Sequence, residues 1–73
     1  MQYNSIMNKF PERLKELRIE KGLSLKALEQ ATGISNATLC RWENGTTDIT
    51  GENLVIIAKY FGVSTDYLLG LED

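Results

Sequence analysis

Five residues between positions 36 and 44 have the small size or the polarity to contact another molecule closely. They are Asn36, Ala37, Cys40, Arg41 and Asn44, and on an α-helix they occupy an arc of roughly 140°. The guanidinium and the two amides supply donors and acceptors, whereas Ala37 and Cys40 are small enough to permit close approach. Because the arc carries no bulky apolar residue, it predicts a surface that fits the major groove of DNA.

Residues that commonly perform catalysis or hold metal ions are scarce in this sequence. The chain of 73 residues has no histidine and one cysteine, so neither a zinc site nor a histidine-assisted nucleophile can be assembled. The sequence also lacks a glycine-rich loop of the kind that cradles phosphate. We therefore expect a protein that is not an enzyme and that uses no cofactor and no metal.

Composition and charge limit the class of protein. The content of 42% hydrophobic and 25% charged residues is ordinary for one small globular domain. No apolar run approaches the ~20 residues that span a bilayer, and the single cysteine fits a cytoplasmic protein with no membrane partner. The net charge of −2 argues against a simple nucleic-acid binder. Basic residues are nevertheless concentrated in the first third, which leaves a locally basic face possible: Lys9, Arg13, Lys15, Arg18, Lys21 and Lys26.

One local pattern recurs four times and predicts where helices begin. An apolar residue precedes a serine or threonine, and a leucine follows the hydroxyl residue by four positions, which is the pattern of an N-cap with a hydrophobic staple. The copies are Leu23-Ser24 to Leu28, Ile34-Ser35 to Leu39, Ile49-Thr50 to Leu54 and Val63-Ser64 to Leu68. Glycines at positions 22, 33, 45, 62 and 70 predict the ends of five segments, where a left-handed residue closes a helix.

These starts and stops predict an all-α fold of five helices, at about 10–20, 24–32, 35–44, 50–61 and 64–69. Residues 1–8 are expected to form a flexible tail, and residues 9–73 the folded domain. Helices this short are unstable alone, so they must pack around a shared core. The predicted core residues are Phe10, Leu14, Leu17, Leu23, Leu28, Ile34, Leu39, Trp42, Ile49, Leu54, Ile57, Ala58, Phe61, Val63 and Leu68.

Two stretches resemble a known family. LSLKALEQATGISNATLCRWENG at 23–45 and LVIIAKYFGVSTDYLL at 54–69 are similar to the compact five-helix helix-turn-helix domain of phage repressors and Cro, the xenobiotic-response-element family. The resemblance extends over roughly residues 9–70. It implies a transcriptional regulator that binds double-stranded DNA, with the helix at 35–44 in the major groove of a near-palindromic operator.

The resemblance also implies roles for individual residues. Base contacts are implied for Asn36, Ala37, Cys40 and Arg41, in which Arg41 can pair with guanine and Asn36 with adenine. Phosphate contacts are implied for Ser24, Ser35, Thr38, Asn44 and Thr46. A carboxylate at Glu43, which lies about 40° from Leu39 around the helix, needs a partner if it is partly buried. The resemblance supplies one, Arg18 of the first helix.

Three residues depart from the family pattern. Leu25 replaces a glutamine that often contacts the DNA backbone, Glu29 replaces a small residue between two helices, and Asp48 replaces a basic residue. Together they weaken the attraction to phosphate, so we expect binding that is specific, salt-sensitive and of limited strength.

The resemblance implies a homodimer, since one recognition helix covers only a few base pairs. Candidate dimer contacts are Val55, Ile56, Tyr60, Tyr67 and Leu71. Several alternatives stay open. The regulator can repress by covering a promoter or activate through contact with the polymerase, and it can be a phage switch or an antitoxin that also binds a toxin. The acidic net charge, Leu25 and Asp48 favour a further alternative, a protein-interaction module that has lost DNA binding.

Overall fold

The structure, a computed structural model, describes residues 9–73. It confirms the all-α prediction: these residues form five helices and no strand. The helices are α1 (Phe10–Glu20), α2 (Leu25–Thr32), α3 (Asn36–Glu43), α4 (Gly51–Phe61) and α5 (Thr65–Leu69). The tail predicted at residues 1–8 lies outside the described residues.

The hydroxyl caps confirm the predicted helix starts and explain a shift of one residue. The side chains of Ser24, Ser35, Thr50 and Ser64 each accept a hydrogen bond from the backbone N–H three residues later. A capping residue has extended backbone and stands just outside its helix, so α2 to α5 each begin one residue after the predicted position. Helix α1 has no side-chain cap and begins with Pro11 in its first turn.

The predicted core is confirmed. Nine of its residues are buried, and the other six pack against them as partly buried side chains. Helix α3 packs against both α1 and α2, and α5 packs against α1 and α4. Trp42 of α3 meets Phe10 of α1 edge-to-face, with ring centroids 6.2 Å apart. One side of α3 is therefore fixed in the core, and its opposite side faces outward.

Arg13 is a buried residue that lies outside the predicted core. It is 9% exposed, and its guanidinium lies 4.2 Å from the centre of the Tyr67 ring. It donates to the backbone carbonyl of Tyr67 and, at 2.6 Å, to that of Glu72. The signal was its position three residues after Phe10 and next to Leu14, on the apolar stripe of α1. Arg13 ties α1 to the last helix and the segment that follows it.

Candidate nucleic-acid interface

The turn between α2 and α3 sets the direction of α3. Gly33 has φ +79°, a left-handed conformation that favours glycine, and its N–H donates to the carbonyl of Glu29 at 2.8 Å. The buried Ile34 anchors the turn in the core, and Ser35 then caps α3. Two helices of eight residues are thus joined by a turn of three, residues 33–35. This is the helix-turn-helix arrangement.

The polar arc of α3 lies on the outside of the domain. Leu39 and Trp42 hold the inner side of the helix in the core. The structure brings the predicted base-contacting and phosphate-contacting residues of α3 together on the other side: Ala37, Cys40, Arg41 and Asn44 are exposed, while Asn36 and Thr38 are half-buried. The first N–H groups of a helix have no carbonyl partner within it, so this end of α3 also favours an anion.

A chain of hydrogen bonds directs Arg41 toward the beginning of α3. The Ser35 hydroxyl donates to Thr38 Oγ1 at 2.9 Å, and Arg41 Nη2 donates to the same oxygen at 3.2 Å. Thr38 Oγ1 therefore accepts two hydrogen bonds and keeps its own O–H for an acceptor outside the protein. A phosphate oxygen is such an acceptor. The arrangement places a guanidinium and a free hydroxyl donor side by side on the exposed surface.

Asn36 contacts Glu29, one of the three residues that depart from the family pattern. Its Nδ2 donates to Glu29 Oε1 at 2.8 Å, across the turn between α3 and α2. Glu29 therefore does not point away from the interface; its carboxylate touches the first residue of α3. No direct signal in the sequence indicates this contact, because the two residues are seven positions apart and a turn interrupts the helical period between them.

The contacts at the end of α3 bear on two predicted phosphate ligands. The Asn44 amide donates weakly to Cys40 Sγ at 3.5 Å, so this amide stays close to the polar arc. The backbone N–H and the hydroxyl of Thr46 both donate to the carbonyl of Arg41, at 3.0 and 3.2 Å. A phosphate contact by Thr46 requires these donors to be released, and it stays a prediction.

The start of α2 explains one departure from the family pattern. Ser24 is exposed and caps the helix by accepting from the N–H of Ala27 at 3.0 Å. Leu25 packs against the core instead of facing outward. Leu25 therefore contributes to packing, whereas a polar residue at this position would contribute to contact with the DNA backbone. Asp48 is exposed in the loop between α3 and α4.

Arg18 and Glu43 form a bidentate ion pair between α1 and α3. Arg18 Nε lies 2.7 Å from Glu43 Oε2, and Nη2 lies 3.0 Å from Oε1. A third donor, Nη1, reaches the carbonyl of Leu23 at 2.8 Å. The side chains are 14% and 7% exposed, respectively. The hydrogen bonds to Glu43 raise the pKa of Arg18 above its usual value, against the opposing effect of burial. The pair holds the recognition-helix candidate α3 against α1.

These contacts reduce the positive charge that is free to attract DNA. Of the basic residues in the first third, Arg18 is paired with Glu43 and Arg13 is bound inside the fold, 3.9 Å from Asp73. The four lysines of that region are exposed: Lys9, Lys15, Lys21 and Lys26.

Residues 9–73 contain no group of three or more acidic, cysteine or histidine side chains placed to hold a metal ion. None of the helices formed by these residues is long and apolar enough to cross a membrane.

The candidate dimer residues divide into two groups. Val55, Ile56 and Leu71 are exposed, by 44%, 36% and 59%. Tyr60 packs edge-on against Phe61 with ring centroids 5.0 Å apart, and Tyr67 lies beneath the Arg13 guanidinium. The two tyrosines are therefore partly occupied within the chain. We call the three exposed residues the apolar patch.

Comparison with known proteins identifies sequences similar to this chain. The helix-turn-helix family matches residues 14–68. Repressor protein C2 of Salmonella phage P22 is 36% identical over 58 residues, which are 80% of this chain and 27% of that protein. The HTH-type transcriptional activator BcrR of Enterococcus faecalis is 34% identical over 64 residues, 88% of this chain and 31% of that protein. The HTH-type transcriptional regulator DdrOP3 of Deinococcus deserti is 42% identical over 65 residues, 88% and 50%, respectively. The chain thus spans half or less of the length of these relatives.

Proposed function

Because the chain belongs to the helix-turn-helix family, which matches residues 14–68, we propose that it is a sequence-specific DNA-binding transcriptional regulator. The observation that carries the proposal is the outward polar arc of α3, held in place by Leu39 and Trp42 in the core. In this proposal α3 enters the major groove with its first turn leading, and Arg41 and Asn36 contact base edges.

The phosphate contacts follow from the donors left free on the same surface. Thr38 retains its hydroxyl proton because its oxygen already accepts from Ser35 and Arg41. Ser24 and Ser35 stand at helix N-termini, where unpaired N–H groups favour an anion. Such contacts fix the position of α3 on the duplex, whereas base contacts supply the specificity.

We further propose that the regulator acts as a dimer on a near-palindromic operator. Eight residues of α3 span about 12 Å, so one copy contacts only a few base pairs. Two-fold dimers of this class read half-sites ~10 base pairs apart. The apolar patch is the candidate subunit contact, since these apolar side chains remain exposed on the described domain.

Repression is the regulatory outcome we propose. A bound dimer covers a promoter and excludes the polymerase without performing any chemistry. A similar protein from phage P22 carries the name of a repressor, whereas one from Enterococcus faecalis carries that of an activator. The sign of regulation is therefore a separate measurement, made with a reporter gene downstream of the selected operator.

Selection of bound sequences from a pool of random duplex DNA tests the proposal. The wild-type protein is expected to enrich a two-fold-symmetric motif. Arg41→Ala is expected to relax the preference at one base pair per half-site, because a bidentate arginine contact is worth about 1–3 kcal/mol of discrimination. Lys59→Ala is the matched control: it removes one positive charge from the exposed surface of α4 and leaves α3 intact.

The outcomes separate the proposed function from its alternatives. A uniform loss of affinity with an unchanged motif in Arg41→Ala would make Arg41 a phosphate contact instead of a base contact. Failure of the wild-type protein to enrich any sequence at low salt would contradict DNA binding. The protein-interaction module would then be the better interpretation, and a toxin would be one candidate partner.

A further inference from the structure

We propose that Glu29 is a positioning residue that orients the Asn36 amide and thereby sets the base preference at one position of the DNA site. The proposal rests on the proposed function, because it concerns how α3 contacts a base. The hydrogen bond on which it depends is observed independently of that function. Asn36 Nδ2 donates to Glu29 Oε1 at 2.8 Å, between the first turn of α3 and the last turn of α2.

The chemistry of the two groups fixes which way the amide faces. An ionised carboxylate only accepts hydrogen bonds, so the nitrogen of the amide must be the atom that faces it. Rotation of the amide by half a turn would place Asn36 Oδ1 against the carboxylate, and two acceptors would then repel each other. Glu29 therefore selects one of two orientations that a free asparagine side chain would otherwise share.

The fixed orientation leaves the groups that recognise adenine. An asparagine amide has two N–H donors and one carbonyl acceptor, and Glu29 takes one donor. One N–H and Oδ1 remain. Adenine presents an acceptor, N7, beside a donor, the N6 amino group, at the edge it exposes in the major groove. The remaining pair on Asn36 matches that edge, and its orientation is set before DNA binds, which lowers the entropic cost of the contact.

The position of a carboxylate here also has a cost for DNA binding. Negative charge near the interface repels phosphates and lowers the affinity for every sequence alike. Glu29 is not needed to hold the turn, because Gly33 and the buried residues Leu28, Ile34 and Leu39 already fix it. The carboxylate thus has two separable effects: a uniform loss of affinity, and a preference at the base pair that Asn36 contacts.

Two substitutions separate these effects. Glu29→Gln removes the charge but keeps an oxygen that accepts from Asn36, whereas Glu29→Ala removes both. The test measures dissociation constants of the wild type, these variants, Asn36→Ala and the double variant Glu29→Ala/Asn36→Ala. The DNA probes are the duplex selected by the wild-type protein and three duplexes that differ at the Asn36 base pair. Thermal unfolding followed by circular dichroism checks that each variant folds.

A bidentate asparagine contact discriminates between bases by roughly 5- to 150-fold. We expect Glu29→Ala to reduce the discrimination at this base pair by about threefold or more, and to tighten binding to all four duplexes by a common factor. Glu29→Gln is expected to show the common factor and to retain the discrimination. In the Asn36→Ala background, Glu29→Ala should no longer change the base preference, since the coupling between contacting residues disappears with either one.

Other outcomes overturn the proposal. Unchanged discrimination in Glu29→Ala would show that the contact does not orient Asn36, and sharper discrimination would show that Glu29 holds Asn36 away from the base. A change of preference that persists without Asn36 would assign the effect to Glu29 itself. Each of these results leaves DNA binding by the wild type intact. Absence of any selected sequence for the wild type instead contradicts the proposed function, and this proposal with it.

Discussion

Replacement of Arg18 by alanine removes the ion pair between α1 and α3. Arg18 makes two hydrogen bonds to Glu43 and one to the carbonyl of Leu23. In Arg18→Ala the carboxylate of Glu43, whose side chain is 7% exposed, loses its charged partner and has little access to water. The Leu23 carbonyl loses a donor as well. The substitution therefore leaves an uncompensated charge in a partly buried site.

The expected loss follows from this geometry. Removing one partner of a buried ion pair costs about 3–5 kcal/mol, and the 14% exposure of Arg18 places this pair near ~3 kcal/mol, because some water can replace the guanidinium. A domain of 65 described residues has a stability of roughly 3–10 kcal/mol at ~0.05–0.15 kcal/mol per residue. The midpoint of thermal unfolding should fall by about 12–24 °C, at ~4–8 °C per kcal/mol.

Thermal and urea unfolding, followed by circular dichroism, measure this loss. Lys15→Ala is the matched control, since it removes a charge from an exposed position of the same helix and should change the stability by no more than about 0.5 kcal/mol. The double variant Arg18→Met/Glu43→Leu replaces the pair by apolar side chains of similar length. It should lie within about 1 kcal/mol of the wild type, because an apolar replacement leaves no buried charge behind.

The pH dependence provides a second check. The raised pKa of Arg18, which its hydrogen bonds to Glu43 cause, adds stability at every pH below the usual arginine pKa. That contribution is lost only as the pH rises through the still higher value in the folded state. The contribution of Arg18 to the free energy of unfolding should therefore stay constant between about pH 6 and about pH 10.

A midpoint shift of less than about 3 °C in Arg18→Ala would refute the reasoning and show that water already solvates Glu43.

Two further predictions concern the last helix and the apolar patch. Arg13→Lys keeps the positive charge but loses the planar guanidinium that stacks on Tyr67 and donates to two carbonyls. Urea unfolding should therefore show a free energy of unfolding lower by about 1–2 kcal/mol. An unchanged midpoint would contradict this role of the guanidinium. Ile56→Glu should weaken dimer formation by about tenfold or more in sedimentation equilibrium and should leave the stability of the domain within about 0.5 kcal/mol. Thr47→Glu, an exposed change in the loop after α3, is its control, and equal dimerisation of both variants would exclude Ile56 from the subunit contact.

Helix boundaries and the core were predictable because both depend on local chemistry. A serine or threonine cap, such as Ser35, acts through a backbone N–H three residues away, and the glycines that end the segments have positive φ as expected. The turn at 33–35 shows both kinds of signal, because Gly33 ends α2 and Ser35 caps α3. The buried Ile34 lies between them. Caps and left-handed residues are short-range features, so a sequence displays them directly.

The contacts that the sequence did not reveal join side chains from different elements. The sequence groups Arg13 with the basic residues that leave a locally basic face possible, but Arg13 lies on the apolar stripe of α1 and binds two carbonyls from the end of the chain. Glu29 departed from the family pattern, and only the approach of α2 to α3 showed that it meets Asn36. A long polar side chain can point in many directions, and the choice among them depends on the packing of the whole domain.

The acidic character of the chain bears on how specificity arises in the proposed regulator. The guanidinium groups of Arg13 and Arg18 bind acceptors within the fold. Leu25 packs against the core, and Asp48 is exposed near the end of α3. Each of these features weakens the attraction to phosphates, which is the same for every DNA sequence. The difference in affinity between an operator and other DNA then depends on the base contacts of α3. Such a protein binds weakly to DNA of other sequences, so its base contacts have to distinguish the operator from less non-specific binding. The prediction is an affinity that still falls as the salt concentration rises, but by less than the roughly 10³- to 10⁵-fold between ~50 and ~200 mM salt of a protein with ~6–10 phosphate contacts, together with an undiminished preference for the selected motif.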